Sequence, residues 1–238
     1  MCGRTALTAS PEELREAFGL SEVHSAGVHY NVPPSGHLAV IRALPKARRL
    51  DPLVWGLVPA WARAEGPKTL KPVALARIET ASTSPIFREA VRRRRCLVAV
   101  NGFFEWKRHE GEKVKRKGSS EPFFVRTPSG APFALAGLWE RRVSRDGEVL
   151  ESCAIITQPA LAPVDAIHDR MPVVLPEDTW DAWLDPDAND EAAVRQLLVP
   201  RSPELIAYPV TPRVNDPRND DPSCLAPVER RPEQQSIF

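Results

Sequence analysis

Pro122-Phe123-Phe124-Val125-Arg126, then Ser129-Gly130, then Pro132-Phe133-Ala134-Leu135-Ala136-Gly137-Leu138-Trp139, then Asp146-Gly147, then Val149-Leu150-Glu151-Ser152-Cys153-Ala154-Ile155-Ile156-Thr157: this stretch decides the fold. Three apolar runs are parted by Ser-Gly and Asp-Gly, pairs that supply the backbone of tight turns, so the segment reads as consecutive strands. Upstream, Cys96–Val100 followed by Asn101-Gly102 has the same form, and Leu38–Arg42, Leu50–Leu57 and Leu205–Val210 also read as strands. Lys107–Ser120 is a basic, Gly/Ser-containing hairpin tip. Helix signals are fewer. Ser10-Pro11-Glu12-Glu13 offers a serine cap, a first-turn proline and a glutamate three residues after the cap, with Gly19 as the stop. Ser84-Pro85 opens a second short helix carrying Phe87, Arg88 and Val91, and Glu177–Leu184 and Asp190–Leu198 look helical. The expected fold is α+β: a single domain with a mostly antiparallel, twisted or barrel-like β-sheet and short flanking helices. The domain is expected over residues 2–227, with 228–238 a C-terminal tail.

The bulk numbers agree with a folded chain. At 238 residues, 42% hydrophobic and 26% charged, it can bury a sizeable core. Its 25 prolines, about double the usual frequency of roughly 5%, are spread throughout, which suits short elements joined by fixed turns and not a disordered tract. Net charge is +1, yet residues 1–120 hold 21 Lys/Arg against 11 Asp/Glu and residues 121–238 hold 11 against 20. Such asymmetry can build a basic face suited to a polyanion, or simply a dipolar surface. Arg92-Arg93-Arg94-Arg95 could follow phosphates or be a solvated helix end.

Cys2, Cys96, Cys153 and Cys224 are far apart, without a CxxC pair or a Cys/His cluster at metal spacing, so no metal and no cofactor is expected. Met1-Cys2-Gly3-Arg4 leads into no apolar signal region, and no apolar run approaches the roughly 20 residues that span a bilayer. The expectation is a reducing, cytoplasmic setting, no membrane contact, free thiols, and a monomer. Cys96 and Cys153 lie in strand-like runs as inert core residues; Trp106 and Trp139 are also expected in the core.

Cys2 differs. Removal of Met1 would leave an α-amine and a thiol on one residue, with ordinary pKa values of about 7.7–8.0 and about 8.5. That pair captures aldehydes: the amine forms an imine and the thiol closes it to a five-membered thiazolidine. An abasic deoxyribose in its ring-opened form is such an aldehyde.

Further segments fall in register with Met1-Cys2-Gly3-Arg4: Tyr30-Asn31-Val32-Pro33-Pro34, Trp55-Gly56-Leu57-Val58-Pro59-Ala60-Trp61, Ala76-Arg77-Ile78-Glu79-Thr80, Asn101-Gly102-Phe103-Phe104-Glu105-Trp106, Ala136-Gly137-Leu138-Trp139-Glu140 and Ile167-His168-Asp169-Arg170-Met171-Pro172. Together they resemble the SOS response-associated peptidase (SRAP) family of abasic-site-processing proteins, from residue 2 to about residue 227. The resemblance implies Cys2 as nucleophile, Glu105 as the acid/base carboxyl at the reacting aldehyde, and His168 as the group that stabilises the abasic sugar and helps open its ring. It implies that Arg4 and Arg77 hold backbone phosphates, and that Asn31, Pro33, Trp55, Trp61 and Arg170 shape the pocket and strand path. Trp61 could stack on a base or be a core residue. The implied partner is single-stranded DNA containing abasic sites.

One position departs. The family usually reads Asn-Ala-Arg-x-Glu-Thr, whereas residues 75–80 are Leu-Ala-Arg-Ile-Glu-Thr, so Leu75 stands where the resemblance places an active-site asparagine. Leucine can neither donate nor accept a hydrogen bond. Three readings stay open: a covalent crosslinker of abasic sites that shields the lesion, a degenerate relative that grips single-stranded DNA without efficient bonding, and a thiol peptidase, for which self-removal of Met1 would suffice.

Overall fold

The computed structural model describes residues 3–24, 27–62, 71–108, 120–144, 146–188, 194, 196–197 and 204–228. Cys2, most of the expected 190–198 helix and nearly all of the expected tail lie outside the described residues. In chain order the strands are β1 (Thr5–Leu7), β2 (Glu22–Val23), β3 (His29–Val32), β4 (His37–Leu44), β5 (Ala47–Trp55), β6 (Leu75–Arg77), β7 (Arg95–Val100), β8 (Gly102–Arg108), β9 (Ser120–Arg126), β10 (Phe133–Val143), β11 (Val149–Pro159), β12 (Arg170–Pro172), β13 (Val174–Leu175) and β14 (Ile206–Pro209). The helices are α1 (Pro11–Phe18), α2 (Arg88–Arg93) and α3 (Trp180–Leu184).

The segment 122–157 supplies the expected strands, and they organise two sheets. β11, β10, β7, β4 and β5 neighbour one another in that order, and β5 returns to pair with β11, closing a ring. β6 joins the C-terminal end of β11 in parallel, and β12 joins the same end antiparallel from the opposite edge. The smaller sheet, β14-β9-β8-β1-β3, is antiparallel throughout. The expected α+β, mostly antiparallel, barrel-like domain is what forms.

Alternation along the strands decides which face each residue buries. Val40, Leu53, Cys96, Val98, Cys153 and Ile155 belong to one apolar cluster that extends to Val32, Phe103 and Val125 of the smaller sheet. Their neighbours Ile41, Leu50, Leu97, Ala154 and Ile156 face the other way and pack with Leu14, Phe18, Trp180 and Trp183 of α1 and α3. Each such large side chain removed from water contributes about 1.5–3 kcal/mol before conformational entropy is subtracted. α1 starts where Ser10 accepts from the Glu13 amide at 3.1 Å and the Glu13 carboxylate accepts from the Ser10 amide at 2.7 Å; it stops at Gly19, φ 59°. Cys96, Cys153 and Cys224 are buried free thiols. Trp106 and Trp139 depart from expectation: both are half-buried at the core's margin, Trp106 donating to Asn215 Oδ1 at 2.6 Å and Trp139 lying under the Arg42 guanidinium at 4.6 Å.

Gly102 opens β8 at a close approach. A Cβ there would stand 2.3 Å from Phe124 Cζ and 2.6 Å from the Val125 carbonyl oxygen, and that oxygen belongs to the paired strand and cannot yield. Gly102→Ala is expected to destabilise the chain by about 1–3 kcal/mol, roughly 3–10 °C in Tm. An unchanged melting curve would show that β8 and β9 can separate there without cost.

Candidate functional site

β8 carries the central carboxyl. Phe103 faces the cluster between the sheets, Phe104 faces the opposite cluster with Phe124, and Glu105 therefore turns back to the inner face. It is fully buried, and its carboxyl is pushed up to about 7, chiefly by burial, with the negative charge of Asp169 acting in the same direction. A carboxyl held there is half-protonated at neutral pH and can both give and take a proton.

The chain's N-terminal strand runs beside it. Thr5 pairs with Phe103, and the Arg4 carbonyl accepts from the Phe104 amide at 3.0 Å. The Arg4 guanidinium is held on the protein: Nη1 donates to Asn31 Oδ1 at 2.8 Å and to the Val214 carbonyl at 2.9 Å, and Nη2 donates to the Asn215 carbonyl at 3.4 Å. Burial lowers its pKa, with Asp216 opposing. Asn31 is buried, and its Nδ2 donates to the carbonyls of Val214, Asp216 and Asn219 at 3.2, 3.1 and 2.8 Å. Its amide is thus spent on the protein, so Asn31 acts by positioning Arg4 and the 214–219 segment. Tandem contacts of this kind leave no mark in a one-dimensional sequence.

His168 follows a 3-10 turn over Val164–Ala166. Its Nδ1 accepts from the Arg170 amide at 3.0 Å and lies 2.8 Å from Asp169 Oδ1, and its side chain is 14% exposed.

Arg170 opens β12. Nη1 and Nη2 engage both oxygens of Glu79, the second at 3.0 Å, and Nη2 also donates to the Thr157 carbonyl at 2.8 Å. Thr157 pairs with Arg77 on β6 and with Pro172 on β12, so the Ala-Arg-Ile-Glu-Thr and Ile-His-Asp-Arg-Met-Pro motifs flank the C-terminal end of β11. Arg77 is exposed there. Sequence reasoning quoted Glu79 within its motif but gave it no role; the separation of 91 positions between Glu79 and Arg170 hides their pairing.

Leu75 shares a face of β6 with Arg77, opposite Ala76. It pairs with Ile155, is half-buried, and packs against the same cluster as Phe103. Trp55 is a buried core residue whose Nε1 donates to the Ala74 carbonyl at 2.9 Å, so it fixes β6 in place. Pro33 sits in the turn after β3, its carbonyl accepting from Gly36 at 3.0 Å. Trp61 is 61% exposed, on the excursion closed by the Leu57–Val73 bridge just before Leu75. A tryptophan in water is unusual, and it decides between the two expectations for that residue: it is not core. Among the described residues no three His, Cys, Asp or Glu side chains converge as a metal site, and no helix is long and apolar enough to cross a membrane.

A sequence profile described as "SOS response associated peptidase (SRAP)" matches residues 1–217. The chain is similar to the abasic site processing protein YoqW of Bacillus subtilis, 34% identical over 231 residues and covering 94% of this chain and 99% of that one. It is also similar to the abasic site processing protein YedK of Escherichia coli, 29% identical over 202 residues and 84% of each chain. Among solved structures, a protein from Bacteroides thetaiotaomicron superimposes with a TM-score of 0.80 at 25% identity, over 96% of this chain and 100% of that one.

Proposed function

The chain belongs to the SOS response associated peptidase family, and from that membership we propose that it processes abasic sites in DNA by capturing them covalently on Cys2 after removal of Met1. The substrate is single-stranded DNA with a ring-opened abasic sugar. The functional unit is residues 2–227, with the tail starting at Val228, whose amide donates to the Pro209 carbonyl at 2.9 Å.

The observation that carries this reading is Glu105, a fully buried carboxyl held near pH 7 on the strand beside which the chain begins. The Arg4 carbonyl accepts from the Phe104 amide, next to Glu105 on β8, and Cys2 stands two positions before Arg4 in the sequence. The balance of the reaction is simple. The amine adds to the aldehyde, the carbinolamine loses water to an imine, and the thiol adds across the C=N bond, its proton passing to nitrogen. One water leaves, and no oxidant or reductant takes part. Glu105 in its acid form protonates the departing hydroxyl and in its base form takes the thiol proton. His168 assists opening of the sugar hemiacetal. The adduct shields the lesion from nucleases and error-prone bypass.

The test is direct. Protein whose intact mass shows Met1 gone, mixed with single-stranded DNA holding one abasic site, is expected to give a heat- and detergent-stable adduct that Cys2→Ala abolishes. A salt-sensitive gel shift without an adduct supports the second reading, binding without bonding, which the half-buried leucine at position 75 favours. Peptide cleavage without either would establish a thiol peptidase instead.

Trp61 gives an independent measure of the strand path. Trp61→Ala is expected to weaken binding to undamaged single-stranded DNA about 5- to 100-fold, the range for loss of one base–aromatic stack, with Tm unchanged because the ring is 61% exposed. Unaltered affinity by fluorescence titration would place the strand elsewhere.

A further inference from the structure

Among the charged groups at the junction of β6, β11 and β12, Glu79 has the wrong sign for a nucleic-acid path. Glu79 lies in the turn after Arg77 and takes both terminal nitrogens of Arg170. Its side chain is 45% exposed, whereas that of Arg170 is 14% exposed, so the carboxylate covers the guanidinium from the solvent side. Arg77 adds a second positive charge near it, and its carboxyl is held below the usual range, first by the bond to Arg170.

A carboxylate and a phosphate present the same feature to an arginine: two oxygens, negatively charged, spaced for a fork of N–H donors. We propose that Glu79 is an internal stand-in for a backbone phosphate, holding Arg170 in the DNA-free protein and giving way to a phosphate of the bound strand. This rests on the reading that the strand passes Arg77 and Arg170. Thr157 keeps Arg170 in position through the exchange, because its carbonyl accepts from Nη2 independently of Glu79. Two consequences follow. Arg170 contributes less to the affinity than a free arginine would, since each phosphate contact costs the release of Glu79. The site also stays electrically quiet towards stray anions until several phosphates arrive together.

The experiment compares wild type with Glu79→Gln on an undamaged oligothymidylate and, separately, on inorganic tripolyphosphate, across a salt series. Glu79→Gln is expected to tighten oligothymidylate binding about 3- to 10-fold at low salt. The slope of log affinity against log salt should stay the same, because both proteins contact the same phosphates once the strand is bound. In an Arg170→Gln background the same change should do nothing. Weaker or unchanged binding by folded Glu79→Gln would overturn the proposal, making Glu79 a fastener that Arg170 needs. Tightened tripolyphosphate binding with no oligothymidylate binding by wild type would uphold the exchange while refuting the nucleic-acid reading; no tightening on either probe refutes the exchange.

Discussion

Glu105→Gln is expected to slow abasic-site capture by about 10²- to 10⁴-fold, the usual span for a positioned acid/base group, and to remove a pH dependence from the stability of the fold. The second effect follows from the first cause. In the folded chain the carboxyl is pushed up to about 7 from an ordinary 4.5, chiefly by burial. Between those values the folded chain keeps a proton that the unfolded chain has released. This group's contribution is therefore fully present below pH 4.5 and is lost as pH rises through 7. A difference of that size corresponds to about 3 kcal/mol. Denaturant unfolding at pH 4.5 and at pH 8 should show wild type losing about that much more stability than Glu105→Gln across the interval. Equal losses would mean that the carboxyl is solvated in solution, and its acid/base role near neutrality would fall with it. Capture by wild type should also change most steeply around pH 7.

That pairing of function with instability explains why the site could be located but not understood from residues alone. Gly-Phe-Phe-Glu-Trp singled out Glu105 only through the resemblance; it is alternation against Phe103 and Phe104 that turns the carboxyl inward, where burial raises its pKa. The strands of residues 122–157 were legible because their turns carry Ser-Gly and Asp-Gly, and α1 because its cap and stop are written in Ser10, Glu13 and Gly19. β6, β12 and β13 were not, since each has only two or three residues and takes its conformation from β11 or β10. The ring closure of β5 on β11 is likewise a long-range pairing with no local signature. Arg4 was read as a phosphate ligand and Arg170 as a residue that shapes the pocket and strand path; each is engaged by a side chain far away in sequence, Asn31 and Glu79.

Leu75→Asn is expected to accelerate adduct formation by roughly two to three decades, the effect of restoring one hydrogen bond of about 2–4 kcal/mol at a reacting centre. The scaffold at this position is prepared to present a polar group. The Ala74 carbonyl is fixed by Trp55 Nε1 at 2.9 Å and by the Ile155 amide at 3.0 Å, and Leu75 itself is paired to Ile155, so a side chain at 75 inherits a defined origin. Its face is that of Arg77, at the end of β11 where Thr157 gathers Arg170. Leucine there contributes packing against the cluster around Phe103, and its loss should cost about 1–2 kcal/mol given half burial. Faster chemistry in a less stable protein is thus the expected signature, read from single-turnover adduct formation alongside a melting curve. A faster rate without destabilisation would mean that Leu75 does not pack as described; destabilisation without a faster rate would mean that the polar contact is supplied elsewhere in this chain, and that the leucine is an accommodated substitution and not a partial loss of function.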